Sequence, residues 1–285
     1  MKQLFVISLL FIMSTLTAQE RENVFTCTVG KWEVTLLSDG QQVGRAGILV
    51  GATPEMSRVI PDGTFPNAIN AFLVKAEGRL ILIDTGLGKQ LFAHLQALGV
   101  SPEQVDVVLL THMHGDHIGG MFRDGAKAFS NAEVYLARPE RDYWARQGGN
   151  AARVIEAYEE QLHLFQPGEL GGTIAPLFPG VKGIAAFGHT PGHCAYLLES
   201  GGERLLVWGD LTHAMAIQMP YPRVSVTYDV DPDRAVLSRE AILAFVVRER
   251  IPVAGMHIAF PAIGRVEVAS PGYRFIPAGE VAGEE

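Results

Sequence analysis

Three of the chain's nine histidines, and one aspartate, fall within six positions of the run LLTHMHGDHIGG at residues 109–120. Side chains two apart on an extended segment point the same way, so His112 and His114 can meet one cation. A bend at Gly115 then puts Asp116 and His117 on the far side, where they can serve a second ion nearby. Neutral imidazole and carboxylate are the donor set of Zn²⁺ and its first-row neighbours. A structural zinc site draws more on thiolate, and only Cys194 is at hand. Burying these groups together without a cation would strand polar atoms at a cost of a few kcal/mol. Further donors follow downstream. GHTPGHC at 188–194 offers His189 and His193 in a turn ahead of a strand, VWGD offers Asp210 at a strand end, and AGMHIAFP offers His257 at another. His112, His114, Asp116, His117, His193, Asp210 and His257 together supply the donors two ions need, with Asp210 able to bridge and positions left for water. His94 and His163 fall in helical patterns and read as surface or core residues, while His213, three after Asp210, reads either as a proton donor to a leaving group or as a structural support for Asp210.

The elements that must position these groups are short and interleaved. Strand-like runs at Trp32–Leu37, Ala71–Val74, Leu80–Asp84, Val105–Thr111, Glu133–Leu136, Gly183–Phe187, Cys194–Leu198 and Arg204–Trp208 are bounded by Gly, Pro, Asp or Ser. Helical patterns occupy Lys89–Leu98, Arg138–Gln147, Ala151–Leu164 and Asp233–Arg248. The alternation indicates a layered α/β architecture. GRLILIDTG at 78–86 and GERLLVWGD at 202–210 echo each other, and each precedes a helix and then an apolar strand that ends in His112 or His257. Two similar halves facing each other, with polar strand ends on one edge, would bring all the donors together. No Pro, Gly or Ser linker separates the halves, so residues 20–285 are expected to form one domain.

Bulk properties narrow the partners. A hydrophobic content of 48% supports a buried core, and a net charge of −8 without a Lys or Arg run leaves no footprint for nucleic acid. The apolar stretch Leu4–Met13, followed by small and polar residues to Ala18, has the shape of a secretory signal cut near residue 19. It is too short to span a bilayer, which predicts a periplasmic or secreted protein that is not held in a membrane. Cys27 and Cys194 are expected to remain unpaired, each behaving as a small hydrophobe.

HMHGDH fits the HxHxDH motif of the metallo-β-lactamase superfamily, and DTG at 84–86, GHTPGH at 188–193, GD at 209–210 and His257 occur in that family's order. The segments KWEVTLLSDG, NAFLVKAEGRLILIDTG, GHTPGHCAYLLES and HIAFPAIGRVEVASPGYRFIP resemble the branch holding methyl parathion hydrolase and related lactonases and arylesterases. The resemblance implies a four-layered αββα sandwich with a two-metal site at one edge. It implies His112, His114 and His193 on one ion, Asp116, His117 and His257 on the other, and Asp210 bridging. Asp84 would orient the HxHxDH loop from behind the ligands, and His189 would pack the turn. Two divalent ions, zinc first with manganese, cobalt or iron as alternatives, would lower the pKa of a bound water from about 15.7 to about 7 and so provide a bridging hydroxide as nucleophile. Lactones or aryl esters are the expected substrates and phosphotriesters a side activity, with Tyr143 and Trp144 walling an apolar pocket, His213 protonating the leaving group, and a homodimer the assembly to test. The rival readings are a dedicated organophosphate triesterase, a β-lactamase, and a metal- or ligand-binding module without turnover.

Overall fold

The structure is a computed structural model that describes residues 24–279. The signal expected at residues 1–19 lies outside the described residues. Alternation along the strands explains the layering. Phe72, Val74, Ile81, Ile83, Val107 and Leu109 face inward between two sheets, whereas Leu73, Leu82, Val108 and Leu110 face outward beneath helices. With both faces buried, these strands read as nearly continuous apolar runs.

The first sheet runs, in spatial and chain order, β1 (Val24–Val29), β2 (Trp32–Arg45), β3 (Thr64–Ala76), β4 (Arg79–Ile83), β5 (Val107–Leu109), β6 (Glu133–Ala137) and β7 (Leu162–Phe165). Its first four strands are antiparallel hairpin neighbours, and β4 to β7 are parallel. The second sheet runs β8 (Pro176–Phe178), β9 (Val181–Ala185), β10 (Cys194–Ser200), β11 (Glu203–Val207), β12 (Val253–Ala254), β13 (Ile263–Val268) and β14 (Tyr273–Pro277). Only its β11–β12 pair is parallel. Helices α1 (Leu91–Ala97), α2 (Arg138–Gln147) and α3 (Gly149–Ala157) lie on the first sheet, and Leu91, Leu95, Ala151 and Val154 fill the outer layer there. Helix α4 (Pro232–Glu249) covers the second sheet through Ile242, Leu243 and Val246, with Asp231 capping its start by accepting from Arg234 N at 3.1 Å. This is the four-layered αββα sandwich expected from the sequence.

The echo between the halves is a repeated unit. Strand β4 leads through α1 to the parallel β5, and β11 leads through α4 to the parallel β12. Asp84 follows the first unit's leading strand, and Asp210 closely follows the second's. One expected helix is corrected: Ala151–Leu164 is cut short at Ala157, and Leu162–Phe165 is strand β7. Buried Tyr158 stops the helix, its hydroxyl donating to Met121 O at 2.7 Å. Beyond it, Leu162 and Leu164 turn alternately into the helix-covered layer while the backbone pairs with β6.

Candidate metal centre

Strand β5 ends at Leu109, and the chain then leaves the sheet under the control of Asp84. Asp84 holds a left-handed backbone (φ 56°), which a non-glycine residue adopts at some cost. Its fully buried carboxylate accepts from Thr111 N at 2.8 Å, Thr111 Oγ1 at 2.6 Å and His117 Nδ1 at 2.7 Å. With its proton committed there, His117 turns its Nε2 lone pair towards Asp210 Oδ1, 3.1 Å away, and Asp116 Oδ1, 3.8 Å away. His257 is set the same way. Its Nδ1 donates to Ala68 O at 2.8 Å, and its Nε2 lies 3.0 Å from Asp210 Oδ2 and 3.6 Å from Asp116 Oδ2. Asp116, His117 and His257 thus form one half-site. The bend before it is a helical turn, Gly115–Ile118, begun by an extended His114.

The other half-site is built from His112, His114, His189 and Asp210. Thr111 Oγ1 gives its hydrogen to Asp84 and accepts from His112 Nδ1 at 3.1 Å. His112 Nε2 then stands 3.0 Å from His114 Nδ1, which stands 2.9 Å from His189 Nε2. Asp210 Oδ2 closes the group, 3.2 Å from His189 Nε2 and 3.6 Å from His112 Nε2.

Here the structure exchanges the two histidines of GHTPGH. His189, expected to pack the turn, donates Nδ1–H to Asp229 at 2.9 Å and presents Nε2 to the cluster. His193, expected as a ligand, has both nitrogens engaged by backbone: Nδ1 donates to Ala186 O at 2.8 Å, and Nε2 accepts from Asp210 N at 3.0 Å. No lone pair remains for a cation. Its ring lies where a Cβ on Gly209 would come within 2.4 Å of Nε2, which explains the glycine before Asp210.

His213 also reaches Asp210, its Nε2 standing 3.1 Å from Oδ2 and its ring stacked on His257 at 4.7 Å. Burial pushes its pKa down to about 4, against the opposing pull of Asp210. Burial likewise lowers His112 and takes His114 to about 4. Burial opposes charge on His117, His189 and His257 as well, but there the carboxylates outweigh it. Asp210 and Asp84 raise His117, hydrogen bonds to Asp210 and Asp229 take His189 to about 9, and Asp210 raises His257. Asp210 is held well below the usual carboxylate range despite its burial, chiefly by His117 and His257. The cluster therefore calls for positive charge at its centre. Buried His117 Nε2 and Asp210 Oδ1 lack a hydrogen-bond partner, an exception among buried polar atoms that cations between the half-sites would resolve. The donor set fits two divalent ions, whose binding would displace histidine protons.

A cavity of about 560 Å³ opens over both half-sites. Gln42, Val43, Arg45 and Ile48, from the outer end of β2 and the turn after it, line it together with Ile69 on the paired strand β3 and with Tyr228. Val43, Ile48, Ile69 and Tyr228 give this wall apolar surface, and Gln42, Arg45 and Asn67 add polar groups to it. Tyr143 and Trp144 do not line it. Trp144 packs edge-on against the back of His114 at 5.5 Å because Glu140 Oε1 accepts its indole N–H at 2.6 Å, and Tyr143 packs on Trp144. Sequence reasoning missed Glu140 and Asp229, both buried carboxylates that touch the ligand loops. The Trp four positions on from Glu140 is the one faint signal in the sequence, since nothing there marks this acid as buried. Cys27 and Cys194 are both free thiols.

The chain matches the metallo-beta-lactamase superfamily over residues 64–249. Among solved structures it is similar to AidC, a dizinc quorum-quenching lactonase seen with an N-hexanoyl-L-homoserine product. The identity is 26% and the TM-score 0.79, over 91% of this chain and 99% of that one. It is similar to the hydrolase AbOPH of the beta lactamase superfamily at 28% identity and a TM-score of 0.79, with the same coverage of 91% and 99%. A ribonuclease of Thermus thermophilus is 29% identical over 188 residues, 61% of this chain and 42% of its own length. An uncharacterized protein of Bacillus subtilis, YobT, is 31% identical over 153 residues, 50% of this chain and 61% of its own. The chain thus spans less than two thirds of the length of these curated relatives.

Proposed function

Because this chain belongs to the metallo-β-lactamase superfamily, we propose that it hydrolyses lactones or aryl esters with two divalent ions, zinc before manganese, cobalt or iron. The observation that carries this reading is Asp210. Its carboxylate stands between the two groups of imidazoles at the floor of the cavity, Oδ1 3.1 Å from His117 Nε2 and Oδ2 3.0 Å from His257 Nε2 and 3.2 Å from His189 Nε2. The likeness to a dizinc lactonase over 91% of the chain supports it. The chemistry that such ions supply when bound is Lewis-acid polarisation of a substrate oxygen and a nucleophile available at neutral pH.

The chain's own residues supply preorganisation. Asp84, Ala68 O and Asp229 each take an Nδ1 proton, so that His117, His257 and His189 present Nε2 without rearrangement. His213 lines the cavity with its Nε2 3.1 Å from Asp210 Oδ2, placed either to steady that carboxylate or to give a proton to a leaving group. Val43, Ile48, Ile69 and Tyr228 offer the cavity's apolar surface to an acyl or aryl group, while Arg45 and Asn67 offer polar contacts. A nuclease reading, suggested by the Thermus thermophilus relative, finds no support in a charge of −8 without a basic run. Export to the periplasm or beyond is part of the proposal and rests on the apolar run Leu4–Met13.

The test is a panel of lactones, aryl esters, phosphotriesters, β-lactams and RNA, offered to zinc-loaded protein before and after chelation. The proposal expects lactone or aryl-ester turnover that chelation abolishes. Phosphotriesters, β-lactams or RNA cleaved far faster than any lactone would overturn the substrate class. Zero or one bound ion with no turnover would point instead to a binding module.

A further inference from the structure

Glu140 lies in the first turn of α2 and is completely buried. Its carboxylate accepts four hydrogen bonds from three separate segments. Oε1 accepts from Met113 N at 3.0 Å and Trp144 Nε1 at 2.6 Å. Oε2 accepts from Thr190 Oγ1 at 2.7 Å and Gly192 N at 2.9 Å. Met113 separates His112 from His114, Thr190 and Gly192 follow His189, and Trp144 backs His114. Each imidazole of one half-site is therefore connected to this single carboxylate. The imidazoles of the other half-site, His117 and His257, are anchored elsewhere, on Asp84 and Ala68 O. The contact is also tight. A Cβ on Gly192 would lie 2.1 Å from Glu140 N and 2.5 Å from its Cβ, so the TPGH turn is pressed against the start of α2.

We infer that Glu140 is a positioning residue that sets the mutual spacing of His112, His114 and His189, and hence the affinity of that half-site alone. The inference rests on the two-ion reading above. Without Glu140, Met113 N and Gly192 N would lose a shared acceptor, and the two ligand loops could drift apart. In Glu140→Gln, the amide turns an N–H towards one pair of donors whichever way it is placed, so the link between the loops breaks on one side.

Zinc binding measures this directly. The Asp116→Asn variant weakens the other half-site, so the ion that remains reports on His112, His114 and His189, and titration calorimetry with zinc reads its affinity. Adding Glu140→Gln to that background is expected to weaken this ion about 10–100-fold, the usual effect of removing a group that orients ligands. In the parent background, the ion held by Asp116, His117 and His257 is expected to keep its affinity. Unchanged affinity of the first ion, or equal weakening of both, overturns the inference. Should Glu140→Gln fail to fold by circular dichroism, Thr190→Val removes a single donor and is expected to weaken the first ion about fivefold, as one lost hydrogen bond predicts. No weakening there also overturns it. A parent protein that binds no zinc refutes the two-ion reading itself, a result distinct from either of these.

Discussion

Asp84→Asn isolates what the carboxylate behind the HxHxDH loop contributes. Asparagine has nearly the same shape and is among the residues that best tolerate a left-handed backbone, so the φ of 56° is retained and the change is confined to charge and acceptor capacity. The native carboxylate accepts three hydrogen bonds of 2.6–2.8 Å while fully buried. The amide oxygen can keep Thr111 N, and the Thr111 hydroxyl can rotate to accept from the new NH₂ group. His117 Nδ1–H is then left facing a donor. Losing one buried bond to a charged group costs about 1.5–3 kcal/mol. In a chain of this size, that corresponds to a fall in Tm of roughly 3–12 °C. His117 would also lose the partner that fixes its tautomer, so the ion it shares with Asp116 and His257 should bind about 10–100-fold more weakly. Thermal melts of metal-free protein and metal counting by atomic emission read the two effects separately. A Tm within about 2 °C of the parent, with two ions retained through dialysis, would refute the assignment of Asp84 as the loop's anchor.

The exchanged histidines make a paired prediction. His189→Ala should reduce two bound ions to one, whereas His193→Ala should keep both and lower stability by about 1–3 kcal/mol through its two lost backbone partners; the opposite pattern by metal counting would restore His193 as the ligand. Asp116→Asn is expected to abolish most turnover while circular dichroism remains native, and near-parental rates would show that the second half-site is dispensable. Burial pushes the Cys27 thiol up to about 11, above a free thiol's value of about 8.5. Its thiolate at pH 8 should therefore be about 200-fold scarcer than that of free cysteine, and iodoacetamide labelling correspondingly slow. Because the unfolded thiol ionises first, the stability linked to Cys27 is present below about pH 8.5 and is lost as pH rises towards about 11. Rapid labelling at pH 8 would count against this.

The spacing of HMHGDH carried most of the centre, because residues close in sequence at a strand end have few ways to point. The two histidines of GHTPGH could not be told apart in that way. What separates them is the partner each Nδ1 finds: Asp229, forty positions beyond His189, or the carbonyl of Ala186. A partner as far along the chain as Asp229 leaves no trace in local pattern, and a backbone carbonyl such as that of Ala186 is offered by every residue. Glu140 was hidden for a related reason, since an acid in the first turn of a helix ordinarily reads as a favourable charge at its amino end. A layered α/β architecture was legible from strand runs such as Leu80–Asp84 and Arg204–Trp208, and the four-layered sandwich followed from the resemblance carried by HMHGDH and the motifs after it. The segment Ala151–Leu164 misled because Leu162 and Leu164 continue a helical spacing, and only their pairing with β6 resolves it.

The repeated strand–helix–strand unit has a thermodynamic consequence. His112, His114, Asp116 and His117 come from the first half, and His189, Asp210 and His257 from the second, so each half-site draws ligands from both. An ion bound there is a rivet across the seam between the sheets. Binding in excess by about a hundredfold over Kd adds about 2.7 kcal/mol per ion to the folded state. The cohesion of the two halves then becomes a function of free metal concentration, and stripping the metal loosens the joint as well as silencing the chemistry.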